Sequence, residues 1–185
     1  MNTDNNDNAY KTLSEINLSD VMEISLLQKF LDNFADSMNL ASVAVDRNGN
    51  PVTNPSSYTR ICAQYTHSTK AGDDRCAASH KKGGQEAARL GRPYIFKCHS
   101  GLIDFAAPII VEGELIGTIL GGQILTKKPN EDEFRRVARE IGNVRGRVRF
   151  LDRCSKRAPT ATDFTDAVPR VHVNCVLKAV HNQGC

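Results

Sequence analysis

Apolar residues recur every three or four positions between residues 18 and 38, which is the spacing of an amphipathic helix. The pattern predicts a helix over about residues 25–38, with Ser25 as its N-terminal cap. Two rows of apolar side chains share the helical spacing, and they are Leu26, Phe30, Phe34 and Met38, with Leu27 and Leu31 beside them.

The pattern then changes to short apolar runs, which are typical of β-strands. Residues 40–46 form the first run, and the pair Asn48-Gly49 predicts a hairpin turn that leads into a return strand at 51–53. Three later runs predict a meander of strands at 94–98, 104–111 and 115–125. Helices are predicted from Pro55 through Tyr65, over about 72–90 and over about 131–141.

This order of elements predicts an α+β domain in which helices pack on one antiparallel sheet. About five strands in the order 2-1-5-4-3 would be the arrangement of PAS and GAF sensors, and we take this as an analogy of architecture only. Gly83-Gly84 is expected to weaken or kink its helix. Gly121-Gly122 interrupts the last strand, which predicts a bulge or a close approach by a ligand.

Composition divides the chain into three parts. Residues 1–17 are polar at their start and are expected to be disordered, whereas residues 18–142 form the predicted domain. Residues 1–142 hold 16 Lys/Arg and 18 Asp/Glu, but residues 143–185 hold 8 and 3. This basic tail has no sustained helical or strand period, so we expect it to be irregular.

The chain contains no apolar run of the ~20 residues that a membrane helix needs, and its first residues do not resemble a secretory signal. A cytoplasmic location without membrane association is therefore expected. In that compartment, cysteines more often bind metals, respond to redox conditions or pack in the core than form disulfides. There are six of them: Cys62, Cys76, Cys98, Cys154, Cys175 and Cys185.

Three of these cysteines are candidates for a shared site. Cys62, Cys76 and Cys98 could bind zinc or iron if the fold brings them together, with His99 as a less favoured fourth ligand. The spacing is not that of a zinc finger, and three separately buried thiols are the alternative interpretation. His80 follows Cys76 by four residues and would share its helical face.

Catalysis is a third interpretation of the same residues, with a cysteine nucleophile and His67 or His99 as its base. Successive residues of a strand point to opposite faces, so Cys98 and His99 are not expected to pair. The sequence therefore predicts that the protein is not an enzyme.

Ligand contacts are expected along the meander. Asp104 begins a strand, where its carboxylate could bind ligand hydroxyls or instead fix the preceding turn. No phosphate-binding glycine motif is present, and the basic tail lacks the patterns of nucleic-acid-binding modules. Direct binding to nucleic acid is therefore not expected. The candidate pocket residues are Phe96, Cys98, His99, Asp104, Phe105, Ile109, Ile119, Gly121 and Gly122.

Several separated motifs, in order, resemble the PocR sensory-domain family. The longest runs from Cys98-His99-Ser100-Gly101 through Asp104 to Pro108-Ile109. The others lie in residues 40–49, at Cys62, over 75–79, and in residues 114–125 up to Gly121-Gly122-Gln123-Ile124-Leu125. The likeness spans about residues 18–141.

The resemblance implies a PAS/GAF-like ligand-binding domain of bacterial or archaeal signal transduction or transcription regulation. It implies a small organic ligand of the diol or hydrocarbon-derivative class, because the namesake regulator responds to 1,2-propanediol. It also implies an output partner, such as a histidine kinase or an AraC-type regulator, and we expect a homodimer. Cys62, Cys76 and Cys98-His99 fall on the characteristic cysteines and Cys-His pair of the family, which strengthens the case for a shared cysteine site. A metal or redox sensor built on Cys62, Cys76 and Cys98 is the alternative function.

The chain departs from the family beyond Gly142. No output domain is recognisable, so we expect another chain to supply it or the output to have been lost. Members usually continue in an acidic, amphipathic stretch, whereas residues 143–185 are basic and aperiodic. We interpret this tail as poorly folded sequence or as an out-of-frame translation, and the other two reading frames of the gene would distinguish the two.

Overall fold

Four antiparallel strands and four α-helices make up the part of the chain that the computed structural model describes, residues 11–126 and 131–142. The strands are β1 (Ala41–Asp46), β2 (Tyr94–Lys97), β3 (Ile103–Val111) and β4 (Glu114–Ile124). The helices are α1 (Leu18–Val21), α2 (Ile24–Met38), α3 (Lys70–Leu90) and α4 (Glu131–Glu140). This is the predicted α+β class.

The strands lie in the order β1-β4-β3-β2, so the sheet has four strands where about five were predicted. The predicted return strand at 51–53 is reduced to isolated bridges, which pair Val45 with Pro51 and Ser42 with Ser56. Pro51 has no N–H to donate to a ladder, which shortens pairing on this edge. With that edge segment included, the order is the predicted 2-1-5-4-3.

Helix α2 confirms the predicted span, but a different row of its side chains faces the sheet. Leu27 and Leu31 are buried against Ala44 and the half-buried Ile119. Leu26 and Phe30, from the longer apolar row, stay 64% and 57% exposed. The helix begins after Glu23 and not at the predicted cap Ser25.

Helix α3 packs on the opposite face of the sheet through its smallest side chains. Gly83 lies against the ring of Phe96, and a Cβ on Gly84 would come within 2.2 Å of the Thr118 hydroxyl. The two glycines therefore let the helix approach the sheet closely. The helix is continuous from Lys70 to Leu90, so the predicted weakening at Gly83-Gly84 is wrong. The core between these layers consists of Val43, Val45, Ala87, Ala106 and Leu120.

Two other segments differ from the prediction. The helix expected from Pro55 is limited to a single π-helical turn, Ile61–Tyr65, followed by the 3-10 turn Thr66–Ser68. Residues 11–17 were expected to be disordered, but Leu13–Glu15 forms a 3-10 turn because Glu15 accepts the backbone N–H of Thr12. Residues 1–10 and the predicted irregular tail, 143–185, lie outside the described residues.

No helix in the described part of the chain is long and apolar enough to cross a membrane.

Candidate functional site

A pocket lies between the N-terminal half of α3, the π-helical turn and the ends of β2 and β3. It holds about 290 Å³ of empty space, part of it open to solvent. We call it the thiol pocket because all three candidate cysteines line it. Its lining residues are Tyr58, Cys62, His67, Cys76, Ser79, His80, Cys98, His99, Ser100, Asp104 and Gln123.

Three different elements deliver the thiols. Cys76 and His80 are one helical turn apart on the buried face of α3, as their spacing predicted. Cys62 lies on the π-helical turn, a type of irregularity that is frequent at functional sites. Cys98 follows the last residue of β2, and its backbone N–H donates to the Leu102 carbonyl at 2.8 Å.

His99 pairs with a thiol other than its neighbour. Its Nε2 lies 3.2 Å from Cys76 Sγ and 3.3 Å from the Ser100 hydroxyl. Because β2 ends at Lys97, His99 lies in a turn, and the strand alternation that separated it from Cys98 does not apply. Strand alternation is therefore the wrong reason to separate Cys98 from His99, and both line the pocket, although the imidazole contacts Cys76 and Ser100.

Burial keeps the thiols protonated at neutral pH. It raises the pKa of Cys62 and of Cys76 to about 12, and it raises that of Cys98 as well. A protonated thiol is a poor nucleophile. Residues 11–126 and 131–142 contain no group of three or more His, Cys, Asp or Glu side chains that could hold a metal ion. The arrangement thus gives no support to the predicted zinc or iron centre.

Three further ionisable groups of the pocket, His80, His99 and Tyr58, have pKa values shifted toward their neutral forms. Burial lowers the pKa of His80 to about 4, although a hydrogen bond from its Nδ1 to the Gly49 carbonyl acts in the opposite direction. Burial also lowers the pKa of His99 and raises that of Tyr58. The thiols, Tyr58 and these two histidines are consequently uncharged at neutral pH and can donate or accept hydrogen bonds.

Asp104 is held by a bulge in β4. The register between β3 and β4 shifts beside Asp104, so that Gln123 has no partner residue in the ladder. The backbone N–H of Gln123 donates to Asp104 Oδ1 at 2.7 Å, so this oxygen holds the bulge and not the turn before β3. Asp104 also lines the pocket, and its binding of ligand hydroxyls stays a prediction. Burial nevertheless raises the pKa of this carboxyl group, since it is only 9% exposed. The predicted bulge at Gly121-Gly122 is confirmed, and Gly122 adopts a φ of +137° there.

A second pocket continues from the first along the sheet and holds about 210 Å³ of empty space. Gly121 and Gly122 line it, so these two candidates lie beside the thiol pocket and not within it. The residues that the two pockets share are Tyr58, His80, Asp104 and Gln123.

Four apolar candidates do not line either pocket. Phe105 lies on the α2 side of the sheet, where it makes an edge contact with Phe34, and Ile119 packs on that side too. Phe96 packs over Gly83 and stacks on Tyr94, so its ring is part of the core. Ile109 is half-buried and is not among the lining residues.

Four lining residues were not predicted: Tyr58, Ser79, Ser100 and Gln123. The Gly121-Gly122-Gln123 motif was the one available signal for Gln123. The side-chain carbonyl of Gln123 accepts hydrogen bonds from the backbone N–H and the hydroxyl of Thr59, both at 2.8 Å. This glutamine therefore connects β4 to the segment that carries Tyr58 and Cys62.

Comparison with known proteins identifies the family of this chain. The family model described as the sensory domain found in PocR matches residues 20–157. The chain belongs to the PocR sensory-domain family. A curated relative, the regulatory protein PocR of Salmonella typhimurium strain LT2, is 34% identical over 99 residues. The match covers 54% of this chain and 32% of that protein, so the chain spans about a third of its relative.

A solved structure of a GAF domain/HD domain protein from Geobacter sulfurreducens is also similar to this PocR sensory domain. The two are 10% identical with a TM-score of 0.38, over 66% of this chain and 90% of the other.

Proposed function

We propose that the thiol pocket binds a small, uncharged organic molecule of the diol or related hydrocarbon-derivative class. The observation that carries the proposal is a set of buried and half-buried hydrogen-bonding groups, most of them shifted toward their neutral forms, that faces one small space. Within the described part of the chain, His99 Nδ1 is buried and has no hydrogen-bond partner. An unsatisfied buried group is costly, and a ligand hydroxyl would relieve that cost.

The charges of the lining argue for the same ligand class. No Lys or Arg lines the pocket within the described ranges, so an organic acid would find neither an ammonium nor a guanidinium group to pair with. The Asp104 carboxyl would also oppose a bound anion whenever it ionises. A neutral diol needs only donors and acceptors, and the hydroxyl, imidazole and amide groups of the lining supply both.

The domain would act by binding and not by turnover, in keeping with the sensory family to which it belongs. We place it in a cytoplasmic regulator whose output is supplied by a histidine kinase or an AraC-type partner. The sensory family and the regulatory relative support this context.

Thermal unfolding with and without 1,2-propanediol tests the proposal. At about ten times the dissociation constant the diol should raise the Tm by about 3–6 °C. Lactate has a similar size but a negative charge, and it should give no shift. Stabilisation by neither the diol nor other short alcohols would refute the proposed ligand class.

Two variants of one helix locate the binding. Ser79→Leu fills the pocket and should abolish the shift, whereas Ala78→Leu adds the same side chain at an exposed position and should preserve it. Equal shifts in both variants would place the ligand elsewhere.

A further inference from the structure

Helix α4 packs against the domain beside the thiol pocket. Val137 is buried, as is Ile141 just after the helix. The Thr69 hydroxyl donates to the Ile141 carbonyl at 2.6 Å, and Thr69 is also the N-terminal cap of α3. The end of α4 is thereby attached to the start of the helix that carries Cys76.

Two ion pairs complete this attachment. Arg75 Nη1 lies 3.0 Å from Glu140 Oε2, and Lys97 Nζ lies 2.6 Å from Glu133 Oε1. The side chains in both pairs are between 35% and 55% exposed. Such pairs are individually weak, so they can bias the position of α4 without fixing it.

Each of these cations is the chain neighbour of a pocket thiol. Arg75 precedes Cys76 in α3 and points to the exposed side, while Cys76 is buried. Lys97 ends β2 and precedes Cys98. A single peptide unit therefore separates each of these thiols from a cation that pairs with α4.

We infer that Arg75 and Lys97 are positioning residues that couple the occupancy of the thiol pocket to the position of α4. The inference rests on the proposed function for its ligand, but the coupling itself can be measured in the ligand-free protein. Filling or opening the pocket moves the walls at Cys76 and Cys98-His99, and the two cations carry that movement to Glu140 and Glu133.

Hydrogen exchange of the α4 amides tests the coupling without any ligand. His99→Ala opens the pocket wall and Ser79→Leu fills the pocket, and each should change α4 exchange about fivefold or more. Ala78→Leu is the exposed control, and circular dichroism verifies that all three variants fold. If the pocket variants and the control give the same α4 exchange, the inference is wrong.

A second pair of variants tests the two cations. In Arg75→Gln/Lys97→Gln, the response of α4 to Ser79→Leu should be lost. The matched control is Lys70→Gln/Arg89→Gln, which removes two cations that pair with acids inside α3 and should preserve the response. A response that persists without Arg75 and Lys97 would overturn their assignment.

Addition of 1,2-propanediol separates this inference from the proposed function. If the diol binds and changes α4 exchange, both are supported. Binding without a change in α4 exchange would refute the coupling and preserve the ligand assignment. If the diol does not bind but the pocket variants still act on α4 through the two cations, the ligand assignment fails and the coupling holds.

Discussion

His80→Asn should make the stability of the domain less sensitive to acid. His80 is only 9% exposed, and burial lowers its pKa from 6.5 to about 4. As the pH falls below 6.5, the unfolded chain binds a proton at His80, whereas the folded protein does not until the pH approaches 4. The folded state is therefore destabilised across this window, and the substitution removes that effect.

The magnitude follows from the two pKa values. A lowering from 6.5 to about 4 is equivalent to about 3 kcal/mol when fully expressed below the lower value. Between about pH 7.5 and about pH 5, the expected part is about 2 kcal/mol. Asparagine keeps a donor near the position of Nδ1, so the hydrogen bond to the Gly49 carbonyl can be preserved.

Urea unfolding of the wild type and the variant at several pH values measures this difference. The chain has no tryptophan, so circular dichroism is the appropriate probe. The difference in free energy of unfolding between variant and wild type should move by about 2 kcal/mol in favour of the variant from about pH 7.5 to about pH 5. Lys82→Gln, at an exposed position of the same helix, is the control and should show a much smaller change.

A constant difference between His80→Asn and the wild type over this pH range would refute the reasoning. It would mean that His80 binds its proton equally well in the folded and unfolded states. The neutral character of the thiol pocket at that position would then be wrong.

Two further predictions concern the packing and charge of the site. Gly84→Ala should destabilise the domain by about 1–3 kcal/mol in urea unfolding, because its Cβ would meet the Thr118 hydroxyl at 2.2 Å. Thr118→Ala should reduce that cost in a double-mutant cycle. Equal costs in both backgrounds would contradict the proposed clash. Asp104→Asn should gain stability relative to the wild type as the pH rises from about 4 to about 7. Burial raises the pKa of Asp104, so the wild type loses stability as the pH rises through that pKa. A relative loss of stability over this range would show that the buried carboxylate is stabilised by its partners.

The period of the apolar residues was enough to predict most elements of this fold. Strands have a period of two, and the runs at 40–46, 104–111 and 115–125 lie within a residue or two of β1, β3 and β4. The face of α2 was harder to predict because both of its apolar rows have helical spacing. Which row is buried depends on the rotation of the helix about its own axis where it packs on β1, and tertiary packing sets that rotation.

The π-helical turn shows a second limit of local patterns. Pro55 and the apolar residues up to Tyr65 suggested a longer helix, but Thr59 is held instead by the Gln123 side chain. Gln123 belongs to β4, 64 residues further along the chain. No periodicity within residues 55–65 carries information about that partner.

The site itself was only partly accessible from sequence, and His99 explains why. Side chains do alternate along a strand, but we applied this rule to Cys98 and His99, the first two residues beyond the end of β2, where a turn begins. Cys76 is 23 residues away in the chain, and the imidazole meets it because two glycines allow α3 to lie close to the sheet. The geometry of the pocket thus depends on the packing at Gly83 and Gly84, both about two turns along α3 from Cys76. A substitution at Gly84 should accordingly disturb the contact between Cys76 and His99 as well as the stability of the core.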